Sequence, residues 1–278
     1  MENIKIFAFA DEVDSAFSGQ IEAMKRNNLN GIEVRGVDGE NISDISLEKA
    51  REIREMLDEN GLVTWSIGSP IGKINITDDF TEHFEKFRHT LEVAKILGAS
   101  NIRMFSFYTP KDQDPDIYEQ KVFERVEMFL QEANKYNVKL CHENEKGIFG
   151  DTPERCLRLH KRFPQLAGVF DPANFVQCGV DTLKAWELLK PYTYYMHIKD
   201  AKADGFVVPS GKGEGNVAAI VKEYIAGGGR NFTIEPHLSV FDGFSSLEQD
   251  DEKVEFMFKD KATAFDTACN TFKEILGE

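Results

Sequence analysis

Residues 138–150 read VKLCHENEKGIFG. Val138 to Cys141 have the character of a buried strand, yet the run ends on His142, Glu143, Asn144 and Glu145. Strands buried on both faces of a parallel sheet read as near-continuous apolar sequence. A carboxylate at the end of one is costly to desolvate unless it is paired. Something at that end requires charge.

Working outward, seven more short apolar runs match this one: IKIFAFA (4–10), GIEVRG (31–36), LVTWSIG (62–68), NIRMFSFY (101–108), AGVFD (167–171), YYMHIKD (194–200) and NFTIEP (231–236), with VKLCHE (138–143) as the fifth in order. Between them lie stretches of helical period, such as LEKAREIREMLDENG, where Leu47, Ala50, Ile53 and Leu57 share a face and Gly61 suits a C-terminal cap. Further helices are predicted over 80–98, 118–136, 152–162, 182–190, 217–226 and 255–276. Eight strand units in alternation, with no linker or low-complexity tract, predict an α/β fold: a closed (β/α)8 TIM barrel forming a single domain over 1–278. An open doubly wound sheet would carry a glycine-rich first turn, but the first strand runs into ADEVDSAF with no GxGxxG. The acidic stretch FDGFSSLEQDDEKVEF (241–256) is expected to be a solvated loop before the last helix.

Composition narrows the function classes. At 278 residues and 41% hydrophobic content the chain can bury a large core. No apolar run approaches the roughly 18 residues of a membrane span. The start, MENIKIFAFADEVDS, has acids and no basic region ahead of its apolar run, unlike a signal peptide, so a cytoplasmic location is expected. Cys141, Cys156, Cys178 and Cys269 are dispersed without a CxxC pair, as suits reduced thiols in packing roles. Lys and Arg number 33 against 48 Asp and Glu, and a net charge of −15 repels phosphodiester backbones. Nucleic acid and membrane are therefore not expected partners.

In a barrel of this kind the active face is built at the carboxyl ends of the strands. The fifth strand ends at Glu143, the sixth at Asp171 in VFDPAN, the seventh at His197 in MHIKD and the eighth at Glu235 in TIEPH. Each has an ordinary alternative: a turn residue before proline, a partner for arginine, a satisfied core histidine. Together they are better explained by a shared cation that compensates their desolvation. Three carboxylates and an imidazole make a hard site for one divalent metal ion, with Mn2+ first and Mg2+, Co2+ or Zn2+ as alternatives. Alternation puts Glu145 on the same face as Glu143, so either can be the fifth-strand ligand.

Candidate substrate-binding residues surround this set. Lys199 shares a face with His197 and offers a charge to a developing oxyanion, or an ion pair. Glu33 and Arg35 end the second strand and Arg103 lies in the fourth, where they line the pocket or pair between strands. Trp65, Phe9 and Phe107 offer an apolar wall or core packing, and His237 follows Glu235 closely enough to orient it. The loop SGKGEGN (210–216) could turn backbone N–H groups and Lys212 toward a phosphate, although glycines there are common without a ligand.

The segments HENEKGIFGDTPE, VFDPANFVQCG, MHIKD, GKGEGN and TIEPH, in this order, resemble the sugar phosphate isomerase/epimerase family, whose members share the xylose isomerase-like barrel. The likeness runs from GIEVRG to TIEPH. It implies a metal held by Glu143, Asp171, His197 and Glu235, with Glu143 preferred over Glu145 because Asn144 follows it as in the family's Glu-Asn pattern. It implies an isomerase or epimerase acting on a small sugar or sugar phosphate, with a homo-oligomer left open. Glu143 and Glu235 would be the catalytic pair, removing and returning a proton beside a carbonyl through an enediolate. The same proton abstraction followed by loss of a β-hydroxyl gives the alternative, a metal-dependent dehydratase (a lyase) of an inosose-like ketopolyol. An abasic-site endonuclease-like hydrolase is more remote, since it needs a histidine-rich multi-zinc site and a basic face, against six His and a charge of −15. A barrel that binds without turnover is opposed by the intact ligand set.

Overall fold

The computed structural model describes residues 4–239, 258 and 260–277. Eight parallel strands close into a barrel: β1 (Lys5–Ala8), β2 (Gly31–Val34), β3 (Val63–Gly68), β4 (Asn101–Met104), β5 (Lys139–Glu143), β6 (Ala167–Phe170), β7 (Thr193–Ile198) and β8 (Asn231–Ile234). Each pairs with its successor, and β8 closes on β1 with Asn231 opposite Lys5. Among the described residues, the helices of eight residues or more are α1 (Phe17–Arg26), α2 (Leu47–Glu59), α3 (Thr81–Leu97), α4 (Glu119–Asn134), α5 (Pro153–Arg162), α6 (Thr182–Leu189), α7 (Val217–Ala226) and α8 (Lys261–Leu276). No helix among the described residues is long and apolar enough to cross a membrane.

All eight expected strands are present, most of them shorter at the carboxyl end. The largest difference is in 101–108, where the ladder stops at Met104. Beyond it Phe105 N–H donates to Ile71 O and Phe107 N–H to Gly72 O, so the backbone pairs with the β3–α3 loop instead of a neighbouring strand. Phe107 turns the chain with a φ of 69°. Helix α1 was not among the expected helices, because Gly19 and Gln20 interrupt its apolar pattern. Both belong there: a Cβ at Gly19 would stand 2.0 Å from Asp14 Oδ2, and Gln20 is buried with Nε2 donating to Gly36 O. A short helix at Pro172–Gln177 was likewise unforeseen; Asp171 caps it by accepting from Asn174 N–H at 3.1 Å. The acidic segment 241–256 lies outside the described residues.

One extensive apolar core fills the space between strands and helices. A separate small plug closes the barrel interior: Cys141, Val169 and Tyr195, packed with Trp65, Ala167 and Tyr194. Cys141, Val169 and Tyr195 each lie two residues before Glu143, Asp171 and His197, so the period of two places the plug one inward layer beneath the charged side chains. Trp65 belongs to this lower layer, with its ring stacked on Phe7 at 4.9 Å and edge-on to Tyr195 at 5.8 Å. Of the two roles the sequence allowed it, Trp65 thus takes core packing, in the floor of the barrel. Phe9, two residues after Phe7, reaches the upper layer through space that Gly68 leaves open, since a Cβ there would sit 2.5 Å from its ring.

The β7–α7 connection is tied down by Asp200. Its carboxylate accepts N–H bonds from Ala201, Gly211, Gly213 and Gly215 at 2.9–3.0 Å. The glycine N–H groups of SGKGEGN are thus engaged by a side chain of the protein, in line with the alternative that these glycines serve the loop and not a phosphate. Glycine is needed at 213, where a Cβ would lie 2.4 Å from Asp200 Oδ1.

Two stability tests follow from this packing. Phe129 on α4 is fully buried against Phe87, Phe80 and Phe107, with ring centroids at 4.7, 5.2 and 5.9 Å. Phe129→Ala is expected to cost about 3–5 kcal/mol in urea unfolding, and a loss under about 1 kcal/mol would show that this cluster contributes little. Asp200→Asn leaves fewer acceptor sites for the same donors, at about 1–3 kcal/mol for those orphaned. Hydrogen exchange at residues 211–215 should accelerate, and unchanged protection would contradict the tether.

Candidate metal centre

Glu143 is the last residue of β5, Asp171 follows β6, His197 is the penultimate residue of β7 and Glu235 follows β8. One ligand-capable atom from each lies within 4.8 Å of the others, and all four residues are buried. The strand ends that carry them are cross-braced: Asn144 Nδ2 donates to Asp171 O at 2.8 Å, and Asp171 N–H donates to Asn144 Oδ1 at 2.9 Å. This uses the polar Asn144 as a backbone mimic between β5 and β6 where the ladder ends.

The two candidate glutamates at the end of β5 part company. Glu143 turns into the cluster, whereas the Glu145 carboxylate pairs with Lys73 Nζ at 3.0 Å. Arg103 Nη1 donates to Glu143 Oε2 at 2.7 Å, and His197 Nδ1 stands 2.9 Å from Glu143 Oε1. Lys199 Nζ lies 3.2 Å from both Asp171 Oδ2 and Glu235 Oε2. The other Glu235 oxygen faces Arg35 Nη1 and His237 Nε2, each at 3.2 Å. His237 reaches this place on a left-handed backbone, φ 44°, with its N–H donating to Glu12 Oε2. Of the expected site residues, Lys199, Arg103 and His237 thus touch the cluster, and Glu33 approaches it from below through His197 Nε2 at 3.2 Å.

Sequence reasoning did not single out Asp11 and Glu12. Arg35 grips Asp11 through Nε at 2.8 Å and Nη2 at 3.1 Å, and Glu12 through Nη2 at 3.0 Å. The only signal was a pair of acids directly after the first strand, in the short helix Ala10–Glu12. Phe9 supports the same guanidinium, 4.4 Å from its ring centre, and sets its edge against His197.

Charge balance decides what the cluster can hold. Asp11, Glu12, Glu33, Glu143, Asp171 and Glu235 are buried around it with Arg35, Arg103 and Lys199 as the fixed cations. Burial alone would raise the Glu143 carboxyl, yet His197 and Arg103 outweigh it and hold that group at about 2. At Glu235, Lys199, His237 and His197 overcome burial and hold the carboxyl well below its usual range. Asp171 goes the other way: burial pushes it up to about 7 although Lys199 opposes the shift. For His197 burial favours the neutral ring, but Glu143 and Glu33 prevail and the ring holds its proton well above the usual pH. Asp171 Oδ2 and Glu235 Oε2 are buried without a well-formed hydrogen bond, the nearby Lys199 ammonium notwithstanding. Buried carboxylates, two such oxygens near one another and one imidazole make a donor set that could hold a divalent cation.

The family described as a xylose isomerase-like TIM barrel matches residues 21–237. No curated protein sequence matches. Solved structures share the architecture over nearly the whole chain. The probable 3-DHS dehydratase AsbF involved in petrobactin synthesis, from Bacillus anthracis, is 17% identical with a TM-score of 0.75, covering 97% of this chain and 99% of that one. The IOLI protein, crystallised with a zinc atom, is 15% identical with a TM-score of 0.76, over 99% and 98%. D-psicose 3-epimerase from Clostridium cellulolyticum H10, solved with D-tagatose, is 13% identical with a TM-score of 0.73, over 99% of each chain. At these identities the likeness is one of fold. With the sequence match spanning most of the chain and the closed eight-stranded ring beneath it, this protein belongs to the xylose isomerase-like TIM barrel family.

Proposed function

We propose that residues 1–278 form one domain that acts in the cytoplasm as a divalent-metal-dependent isomerase or epimerase of a sugar or sugar phosphate. The observation that carries this reading is the convergence of Glu143, Asp171, His197 and Glu235 within 4.8 Å at the carboxyl ends of four successive strands. These four would hold the ion, Mn2+ in first place, which when bound polarises the substrate's carbonyl and neighbouring hydroxyl oxygens. A small polyol suits a buried site of this polarity, and a net charge of −15 disfavours nucleic acid.

The protein's own groups supply the proton chemistry. Glu143 and Glu235 are held as carboxylates, the form that accepts a proton at Oε. The group that takes the proton from carbon can return it to the adjacent carbon, which is isomerisation. Return by the other group from the opposite face is epimerisation. Arg103 fixes the rotamer of Glu143, and Arg35 with His237 fixes that of Glu235, so neither base needs reorganising during turnover. Lys199, beside Asp171 and Glu235, places positive charge where an enediolate oxygen would develop. The same ammonium also supports a second reading, a dehydratase, because it is a proton donor for a departing β-hydroxyl. The solved structures of similar fold include both a probable dehydratase and an epimerase.

The deciding experiment incubates Mn2+-loaded protein in D2O with free and phosphorylated ketoses, aldoses and inososes, read by mass spectrometry. Gain of one deuteron is expected, and loss of a water mass would favour the dehydratase. No change with any compound, together with no Mn2+ binding, would overturn the catalytic reading. Glu143→Gln and Glu235→Gln should each lower exchange by about 10²–10⁴-fold while leaving the circular dichroism spectrum intact. Metal affinity should depend on pH with a definite sign. Asp171 is pushed up to about 7, so below that value a proton competes for its carboxylate. Mn2+ titrations are expected to show tighter binding at pH 8 than at pH 6, and a flat profile would contradict Asp171 as a ligand.

A further inference from the structure

We infer that Glu33 is a positioning residue that selects Nδ1 of His197 as the metal-binding nitrogen. This rests on the metal reading above and assigns a role to a residue that the sequence suggested would touch substrate. Glu33 is completely buried, and His197 lies between it and the cluster. Both of its oxygens are engaged. Oε1 accepts from Tyr195 OH at 2.8 Å, and Oε2 faces His197 Nε2 at 3.2 Å. Tyr195 in turn lies 3.4 Å from Ser66 Oγ and packs in the apolar plug, so the glutamate is held from beneath and has no open side for a sugar.

The two faces of the imidazole are thereby made unequal. Nδ1 looks toward Glu143 Oε1 at 2.9 Å and Glu235 Oε2 at 3.5 Å, the oxygens of the candidate ligand set. Among the described residues, Nε2 looks toward the carboxylate below it. An imidazole binds a metal through the nitrogen that carries no proton, and a carboxylate at the other nitrogen keeps the proton there. Glu33 therefore retains the proton at Nε2, frees the Nδ1 lone pair for the ion, and fixes the ring plane. Phe9 completes the constraint from the side, 5.1 Å from the imidazole and nearly perpendicular to it.

The test uses Zn2+ as a diamagnetic probe on protein labelled with 15N at histidine. In the Zn2+-loaded wild type, His197 should show a metal-ligated shift at Nδ1 and a directly bonded proton at Nε2. Glu33→Gln, nearly the same shape, should raise the Zn2+ dissociation constant about 10- to 100-fold. Tyr195→Phe, which removes the hydroxyl that aims Glu33, should shift it less in the same direction. Cys141→Ala disturbs the same plug without touching these hydrogen bonds and should leave affinity within about twofold, which separates positioning from general loosening. Unchanged affinity in Glu33→Gln, or Nε2 as the ligating nitrogen, would overturn the role of Glu33 alone. A wild-type protein that binds no Zn2+ would overturn the metal reading and this role with it.

Discussion

Carboxylates gathered in a dry space repel one another and lose their hydration, at an effective cost of several kcal/mol per ion. The carboxyl end of this barrel gathers Asp11, Glu12, Glu33, Glu143, Asp171 and Glu235. The disposition of the neighbouring side chains answers that cost. Arg35 serves three of these acids at once, Arg103 is committed to Glu143, and Lys199 stands between Asp171 and Glu235. His197 is held between Glu143 and Glu33. Burial still pushes the Asp171 carboxyl up to about 7, although Lys199 opposes the shift.

The same demand organises the barrel in layers. Side chains that point inward recur at every second residue, so β5, β6 and β7 each place one group in the plug and the group two residues on in the charged layer. Tyr195 and His197 illustrate the coupling, because the tyrosine belongs to the apolar layer by its ring and to the polar one by its hydroxyl. Glycines make this geometry fit. Gly68 clears space for Phe9, and Gly150 clears space for His142, whose ring would lie 2.5 Å from a Cβ at that position. Packing beneath and charge above are thus mutually dependent.

Much of the fold and of the cluster was legible in residue order. The eight strands could be read because buried parallel strands are short apolar runs, and the four candidate ligands because each breaks such a run at its end. Helix α1 was not legible, since Gly19 and Gln20 are there for tertiary contacts with Asp14 and Gly36. The role of Asp200 was not legible either, and only the folded loop shows it accepting backbone N–H groups from residues up to 15 positions away. Trp65 stayed between pocket wall and core packing for a related reason. Alternation tells which residues of a strand share a side, but not how deep in the barrel each one sits.

The sequence by itself determined the alternating architecture and the chemical character of the strand ends, because periodicity and side-chain type are local properties. Alternation left Glu143 and Glu145 on one face, the resemblance favoured Glu143, and the tertiary structure supplies the physical difference between them. Both are acids at one strand end, and what separates them is Lys73, 72 residues away, which captures the second. The demotion of Trp65 to the floor and the turn of Glu33 toward His197 were also decided in three dimensions. Strand register and barrel closure bring together residues from β2 and β7 that no spacing in the chain could pair.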